Sequence, residues 1–223
     1  MIAPLTPARI VFDLDGTLID SAPDIHAIAN RVLSEEGAAP LGLEEAKSFV
    51  GNGAPVFIER MRAARGLAEA RQAALLARFV GLYDRAHGLT RPYPGVIAAL
   101  DALREAGHRL GICTNKPVAP ARSVLAHLGL DPYFEIVLGG DSLPTRKPDP
   151  APLMACFEAL GTGACLYVGD SEVDGDTALR AGIPFLLFTE GYRKVPVADL
   201  PHRACFNAFD TLPGLVADCL SAP

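Results

Sequence analysis

Five short, almost uninterrupted apolar runs constrain this chain more than any other feature: residues 10–12 (IVF), 110–113 (LGIC), 134–138 (FEIVL), 165–168 (CLYV) and 185–188 (FLLF). A strand with one wet face alternates apolar and polar residues. Runs without that alternation belong to strands covered on both faces. Helical patterns lie between them. Val96, Leu100 and Leu103 recur at spacings of four and three, with Gly107 just beyond as a stop. Residues 117–129 start at Pro117 and end at Gly129, and residues 149–161 run from Asp149-Pro150 to Gly161. This is the usual asymmetry of helix ends. Alternation of this kind predicts an α/β fold, a parallel sheet with helices on both faces.

Residues 20–88 break the alternation. They read as helices over about 22–36, 43–50, 54–65 and 68–87, with Leu75, Phe79 and Leu82 on one face of the last. A helical module is therefore expected as an insertion after the first strand. The chain returns through the turn formers of Thr90-Arg-Pro-Tyr-Pro-Gly. The expected division is a core of residues 1–18 and 90–223 and a helical unit of residues 19–89. With 223 residues, half of them apolar, the chain can bury one core and a smaller second one.

Ligands of an open parallel sheet sit beyond the carboxyl ends of its strands. Asp13 and Asp15 follow the first run, and Thr114, Asn115 and Lys116 follow the second. Arg146 and Lys147 lie in the loop after the third, and Asp170 and Asp174 follow the fourth. Taken singly, each has an ordinary explanation: Asp15-Gly16 as a turn, Asp170 or Asp174 as a helix cap. Together they bring four carboxylates to one edge. With one nearby lysine the charge is still −3. Two like unit charges about 4 Å apart cost about 4 kcal/mol at an effective dielectric of about 20. Such a cluster takes up protons or recruits a cation. Oxygen-only donors favour Mg²⁺, and no histidine or cysteine pair has the spacing of a zinc site.

Metal binding does not require two acids one residue apart. In extended backbone Asp13 and Asp15 fall on one side. One can attack while the other handles a proton, a known route through an acyl phosphate. The backbone N–H groups of Gly16 and Thr17 are expected to approach phosphate oxygens, and Thr114 and Lys147 to hold the other non-bridging oxygens.

The set DLDGT (13–17), Thr114 in ICTNK, Lys147 in RKPDP and GDSEVD (169–174) resembles the four motifs of the haloacid dehalogenase superfamily, in order and across most of the chain. The resemblance implies a Rossmann-like core with a helical cap. It implies that Asp13 is a nucleophile and Mg²⁺ ligand, and that Asp15 is the general acid/base with its carbonyl on the metal. Thr114 and Lys147 would bind the phosphoryl group. Asp170 would complete the metal site, with Asp174 as a ligand or a support. Asp15 argues for phosphoryl chemistry, since the dehalogenases lack an acid there. FVGNGAPVFIER (49–60), CTNKP (113–117) and GGDSLPTRKPDPAPL (139–153) are similar to the phosphoglycolate phosphatase branch. The implied activity is Mg²⁺-dependent hydrolysis of 2-phosphoglycolate, with another sugar-phosphate phosphatase or a phosphomutase as the alternative. Arg193 and Lys194, after GY, depart from that branch.

A substrate carrying carboxylate and phosphate calls for a cationic or amide-rich lid. Gly51, Asn52 and Gly53 are candidates, with Asn115 or Lys116 from the core, although the GNG stretch also reads as a plain interhelical turn. His26 is the histidine best placed to line the cleft. The net charge of −6 argues against nucleic-acid or anionic-membrane partners. No apolar run approaches the roughly 18 residues of a membrane span. Five scattered cysteines without a CxxC pair read as buried thiols of a reducing cytoplasm. No signal peptide is evident, and a monomer and a homodimer are both compatible with the sequence.

Overall fold

The sheet is built around its first strand. The structure, a computed structural model, describes residues 7–83 and 87–221. Its strands are β1 (Ala8–Phe12), β2 (Ile19–Asp20), β3 (Arg91–Pro92), β4 (Arg109–Cys113), β5 (Ile136–Leu138), β6 (Ala164–Gly169), β7 (Phe185–Phe188) and β8 (Ala204–Phe206). Six of them form one parallel sheet in the order β5-β4-β1-β6-β7-β8. The order therefore reverses at β1. Phe12 pairs with Ile112 of β4 on one side and Val168 of β6 on the other. That register ends three strands level with one another and sends Asp13, Thr114 and Asp170 to one edge.

The two faces of the sheet separate by residue parity, as a period of two requires. Ile10, Phe12, Leu110, Ile112, Leu166 and Val168 pack with α5 (Val96–Glu105), α6 (Val118–His127) and α9 (Leu212–Ser221). Val11, Cys113, Tyr167, Phe185 and Leu187 pack with α7 (Ala151–Ala159) and α8 (Glu172–Ala181). Phe12 and Val11 are both fully buried, which accounts for the unbroken apolar runs.

Between β2 and β3 the chain makes α1 (Ala22–Glu35), α2 (Leu43–Phe49), α3 (Ala54–Ala64) and α4 (Gln72–Tyr83). These four helices share an apolar cluster of their own, which includes Ile28, Val32, Phe57, Ile58, Met61 and Phe79. The two crossings lie side by side: Ile19 and Asp20 pair antiparallel with Pro92 and Arg91. Buried Asp24 accepts bonds at one oxygen from the N–H of Leu89 (3.0 Å), the N–H of Thr90 (2.7 Å) and the hydroxyl of Thr90 (2.6 Å).

The structure departs from the sequence reading in several elements. The run 134–138 forms a strand only over Ile136–Leu138, after a 3₁₀ turn at Asp131–Tyr133. The helix read over 68–87 begins with a 3₁₀ turn at Glu69–Arg71, and residues 84–86 at its end lie outside the described residues, as do residues 1–6 of the expected core. The structure adds the short edge strand β8 and helix α9, whose Leu212, Leu215, Val216, Cys219 and Leu220 fall at helical spacing. Cys113 and Cys156 are buried, but Cys205 on the edge strand β8 is exposed, against the expectation of buried thiols.

Candidate active site

β1 delivers Asp13 to the base of a cleft between the sheet edge and the α1–α4 unit. Asp13 is nearly buried. Its Oδ1 lies 3.0 Å from the Lys147 ammonium yet accepts no hydrogen bond. Burial raises its carboxyl to about 6, with Lys147 pulling the other way and Asp174 adding to the rise. Lys147 also donates to Asp174 at 2.6 Å and to the Tyr167 hydroxyl at 2.8 Å. Burial by itself would lower its pKa, but Asp13 and Asp174 overcome that and hold it charged.

Asp174 is the most heavily engaged acid. Its Oδ1 accepts from Lys147 and, at 2.7 Å, from Tyr167. Its Oδ2 accepts from the N–H groups of Asp170 (3.2 Å) and Ser171 (3.1 Å) and from the Ser171 hydroxyl (2.7 Å). These donors saturate the roughly four lone-pair sites of a carboxylate. Burial works to raise its pKa, and the Lys147 charge and the hydrogen bonds reverse that, leaving it below the usual range. Asp170 accepts from the Thr17 hydroxyl at 2.7 Å and from the Tyr192 N–H at 2.6 Å. Burial and the neighbouring acids raise it well above a normal aspartate.

One oxygen each from Asp13, Asp170 and Asp174 fall within 4.8 Å of one another. The donor set is all oxygen, Asp13 Oδ1 has no donor, and Asp170 is costly to ionise without a cation. These residues fit a hard divalent ion. The Asp15 carboxylate is not part of this cluster. It meets Lys116 at 3.0 and 3.2 Å and accepts from the Ser21 hydroxyl at 2.6 Å. Two ammonium groups therefore answer the acids, not the one expected.

The Gly16 N–H is bonded to the Ile19 carbonyl (2.8 Å) and the Thr17 N–H to Leu14 (3.3 Å), so both close the turn. Gly16 matters for another reason: φ is +87°, and a Cβ there would meet Asp170 Oδ2 at 2.6 Å. Asn52 is held by Arg60 (3.0 Å) and does not line the cleft. His26 is bound to Leu41 and Asn30 inside the helical unit, also away from the cleft. Thr114, Asn115, Gly51 and Gly53 do line it, and Asn115 Nδ2 donates to the Gly51 carbonyl at 3.0 Å. Sequence reasoning missed Tyr83, Tyr167, Tyr192, Ser21 and Ser171. Of these only Ser171, beside Asp170 in GDSEVD, had a local signal.

The family model for haloacid dehalogenase-like hydrolases matches residues 10–188. The chain belongs to the haloacid dehalogenase-like hydrolases. Among relatives of this hydrolase, the phosphoglycolate phosphatase of Cereibacter sphaeroides (strain ATCC 17029 / ATH 2.4.9) is 54% identical over 215 residues, 95% of this chain and 99% of the relative. That of Rhodobacter capsulatus is 49% identical, covering 95% and 97%. A crystal structure described as a predicted phosphoglycolate phosphatase from Haemophilus somnus 129pt superposes with a TM-score of 0.86 at 32% identity, covering 93% and 96% of the two chains. No helix among the described residues of the hydrolase is long and apolar enough to cross a membrane.

Proposed function

We propose that this hydrolase is a Mg²⁺-dependent phosphatase that converts 2-phosphoglycolate to glycolate and phosphate in the cytoplasm. The observation that carries the chemistry is the pair of carboxylates in one cleft with different partners. Asp13 Oδ1 accepts no hydrogen bond, and Asp15 is oriented by Lys116 and Ser21. The near-full-length relatives named for phosphoglycolate support the substrate.

In this reading Asp13 attacks phosphorus, and the bond from phosphorus to the ester oxygen breaks. Asp15 gives its proton to the departing glycolate oxygen, leaving a phosphoryl group on Asp13. Asp15 then takes a proton from water, whose oxygen attacks phosphorus. The acyl-phosphate bond breaks and Asp13 is regenerated. The Thr114 hydroxyl and the Lys147 ammonium hold non-bridging oxygens. Mg²⁺ would be held by Asp13, Asp170 and the Asp15 carbonyl and would supply positive charge to the transferring group. Asp174, with its oxygens already occupied, fixes Lys147 and the Asp170–Ser171 turn. Residues 19–89 act as a cap that excludes water during the first transfer.

Phosphate release from 2-phosphoglycolate beside a set of sugar phosphates, with and without EDTA, tests the reading. Preference for 2-phosphoglycolate that is lost with EDTA is expected. Metal-dependent preference for another ester would overturn the substrate, and metal-independent turnover would overturn the cation site.

A further inference from the structure

The cleft has two walls of different character. Its cap wall is mostly apolar, with Ile25, Phe57 and Phe79 among its residues. The charged residues that line it are Asp13, Asp15 and Lys116. Lys147 lies behind Asp13, engaged with Asp13 and Asp174. With Lys147 assigned to the phosphoryl group, the lining cation left for a second negative group is Lys116.

The surroundings of Lys116 make it more than a counter-ion for Asp15. Its ammonium donates to the Tyr83 hydroxyl oxygen at 2.5 Å and lies 4.0 Å from the centre of the Tyr83 ring. Tyr83 ends α4, so a cap residue meets a core residue here. Because the phenol oxygen accepts from lysine, its own hydrogen is left to donate, and it has no acceptor among the described residues. Burial and the nearby Asp15 raise the Tyr83 pKa well above normal, so that hydrogen stays in place. Asp15, which handles the proton of the ester oxygen, lies 3.0 Å from the same ammonium. In 2-phosphoglycolate the carboxyl carbon is two bonds from that ester oxygen. An ester oxygen beside Asp15 thus brings the carboxylate to Lys116.

We propose that Lys116 and Tyr83 form the subsite for the substrate's carboxylate, selecting phosphate esters that carry an acid two bonds from the ester oxygen. The proposal rests on the function given above. Because one partner comes from the cap and the other from the core, the subsite is complete only when the two meet. Closure over a substrate then depends on the acid that the closed form recognises.

The test compares 2-phosphoglycolate with ethyl phosphate, the same ester without the acid, by kcat/KM in the presence of Mg²⁺. Lys116→Met keeps the stem and removes the charge. It also disturbs Asp15, but that loss falls on both substrates and cancels in their ratio. The expected result is a wild-type preference for 2-phosphoglycolate that K116M reduces about 10- to 100-fold, the range for a charge-assisted hydrogen bond. Tyr83→Phe, nearly isosteric, should reduce it about 3- to 10-fold, and it decides the question alone if K116M does not fold. An unchanged ratio in a folded variant, beside a wild-type preference, would overturn the subsite and leave the proposed function standing. No wild-type preference would overturn the proposed substrate and the subsite with it.

Discussion

Beyond its proposed hold on the phosphoryl group, the charge of Lys147 bears on stability, and Lys147→Met separates the two. In the folded protein its ammonium sits 3.0 Å from Asp13 and 2.6 Å from Asp174, all three almost out of solvent. Removing the charge leaves two carboxylates with oxygens no more than 4.8 Å apart. At an effective dielectric of about 20 their repulsion is about 3 kcal/mol or more. Breaking a buried pair by deleting one member typically costs about 3–5 kcal/mol. At about 2–4 °C per kcal/mol for a chain of this size, the melting temperature should fall by roughly 6–20 °C. Scanning calorimetry in EDTA at pH 7.5 measures it. Two further readings identify the cause. Mg²⁺ should recover part of the loss, since a cation at the acids replaces the missing charge. Lowering the pH should also shrink it. The Asp13 pKa is raised in the fold to about 6, so protonation favours the folded state as pH falls through that value, and without Lys147 the need is greater. A folded variant with unchanged melting in EDTA, or a deficit that widens at low pH, would refute this electrostatic account.

Asp13→Asn should abolish turnover and yet melt higher than wild type in EDTA above pH 6. The rise in pKa from 3.8 to about 6 corresponds to about 3 kcal/mol against the folded state, which the neutral amide avoids; activity near wild type would remove Asp13 from the nucleophile role. Asp15→Asn should lower turnover by at least the ~10²-fold typical of general acid/base loss, and an unchanged kcat would dismiss that role. Titration calorimetry with Mg²⁺ should give an affinity that drops at least about tenfold per pH unit below 6, as protons compete for Asp13 and for Asp170; a flat profile would place the ion elsewhere. Gly16→Ala puts a Cβ 2.6 Å from Asp170 Oδ2 at a backbone angle suited to glycine. It should weaken Mg²⁺ binding at least about tenfold by displacing that carboxylate, and unaltered binding would dissociate Asp170 from the cation.

How much of this was legible in the sequence depends on what each feature requires. Asp13, Thr114 and Asp170 could be read because strand ends in a parallel sheet converge by topology alone, and the apolar runs mark those ends; Lys147, well along the loop after β5, and Asp174, inside α8, rest on the RKPDP and GDSEVD motifs. The use of the Gly16 and Thr17 N–H groups could not be read, because it is fixed by how the turn closes on Leu14 and Ile19. Tyr192 was hidden for another reason. Its N–H serves Asp170, and its hydroxyl accepts from the N–H groups of Ser21 and Ala22 and donates to Asp20. It links the acids to the first crossing from a residue far along the chain, with no periodicity to announce it. Tyr83 likewise meets Lys116 only once two separately cored units are brought together.

The paired crossings have a consequence for how such a chain can change over time. Ile19–Asp20 and Arg91–Pro92 run side by side, and Asp24 fastens the return segment beside the start of α1. The excursion leaves and re-enters the sheet edge at one spot, like a pendant on a single ring. Lengthening, shortening or exchanging it need not alter the distance that the rest of the chain must span. Its interior is packed on its own residues, so substitutions there need not disturb the strands that carry Asp13 and Asp170. The packing of the four helices can therefore vary while the strand ends that carry the acids stay in place.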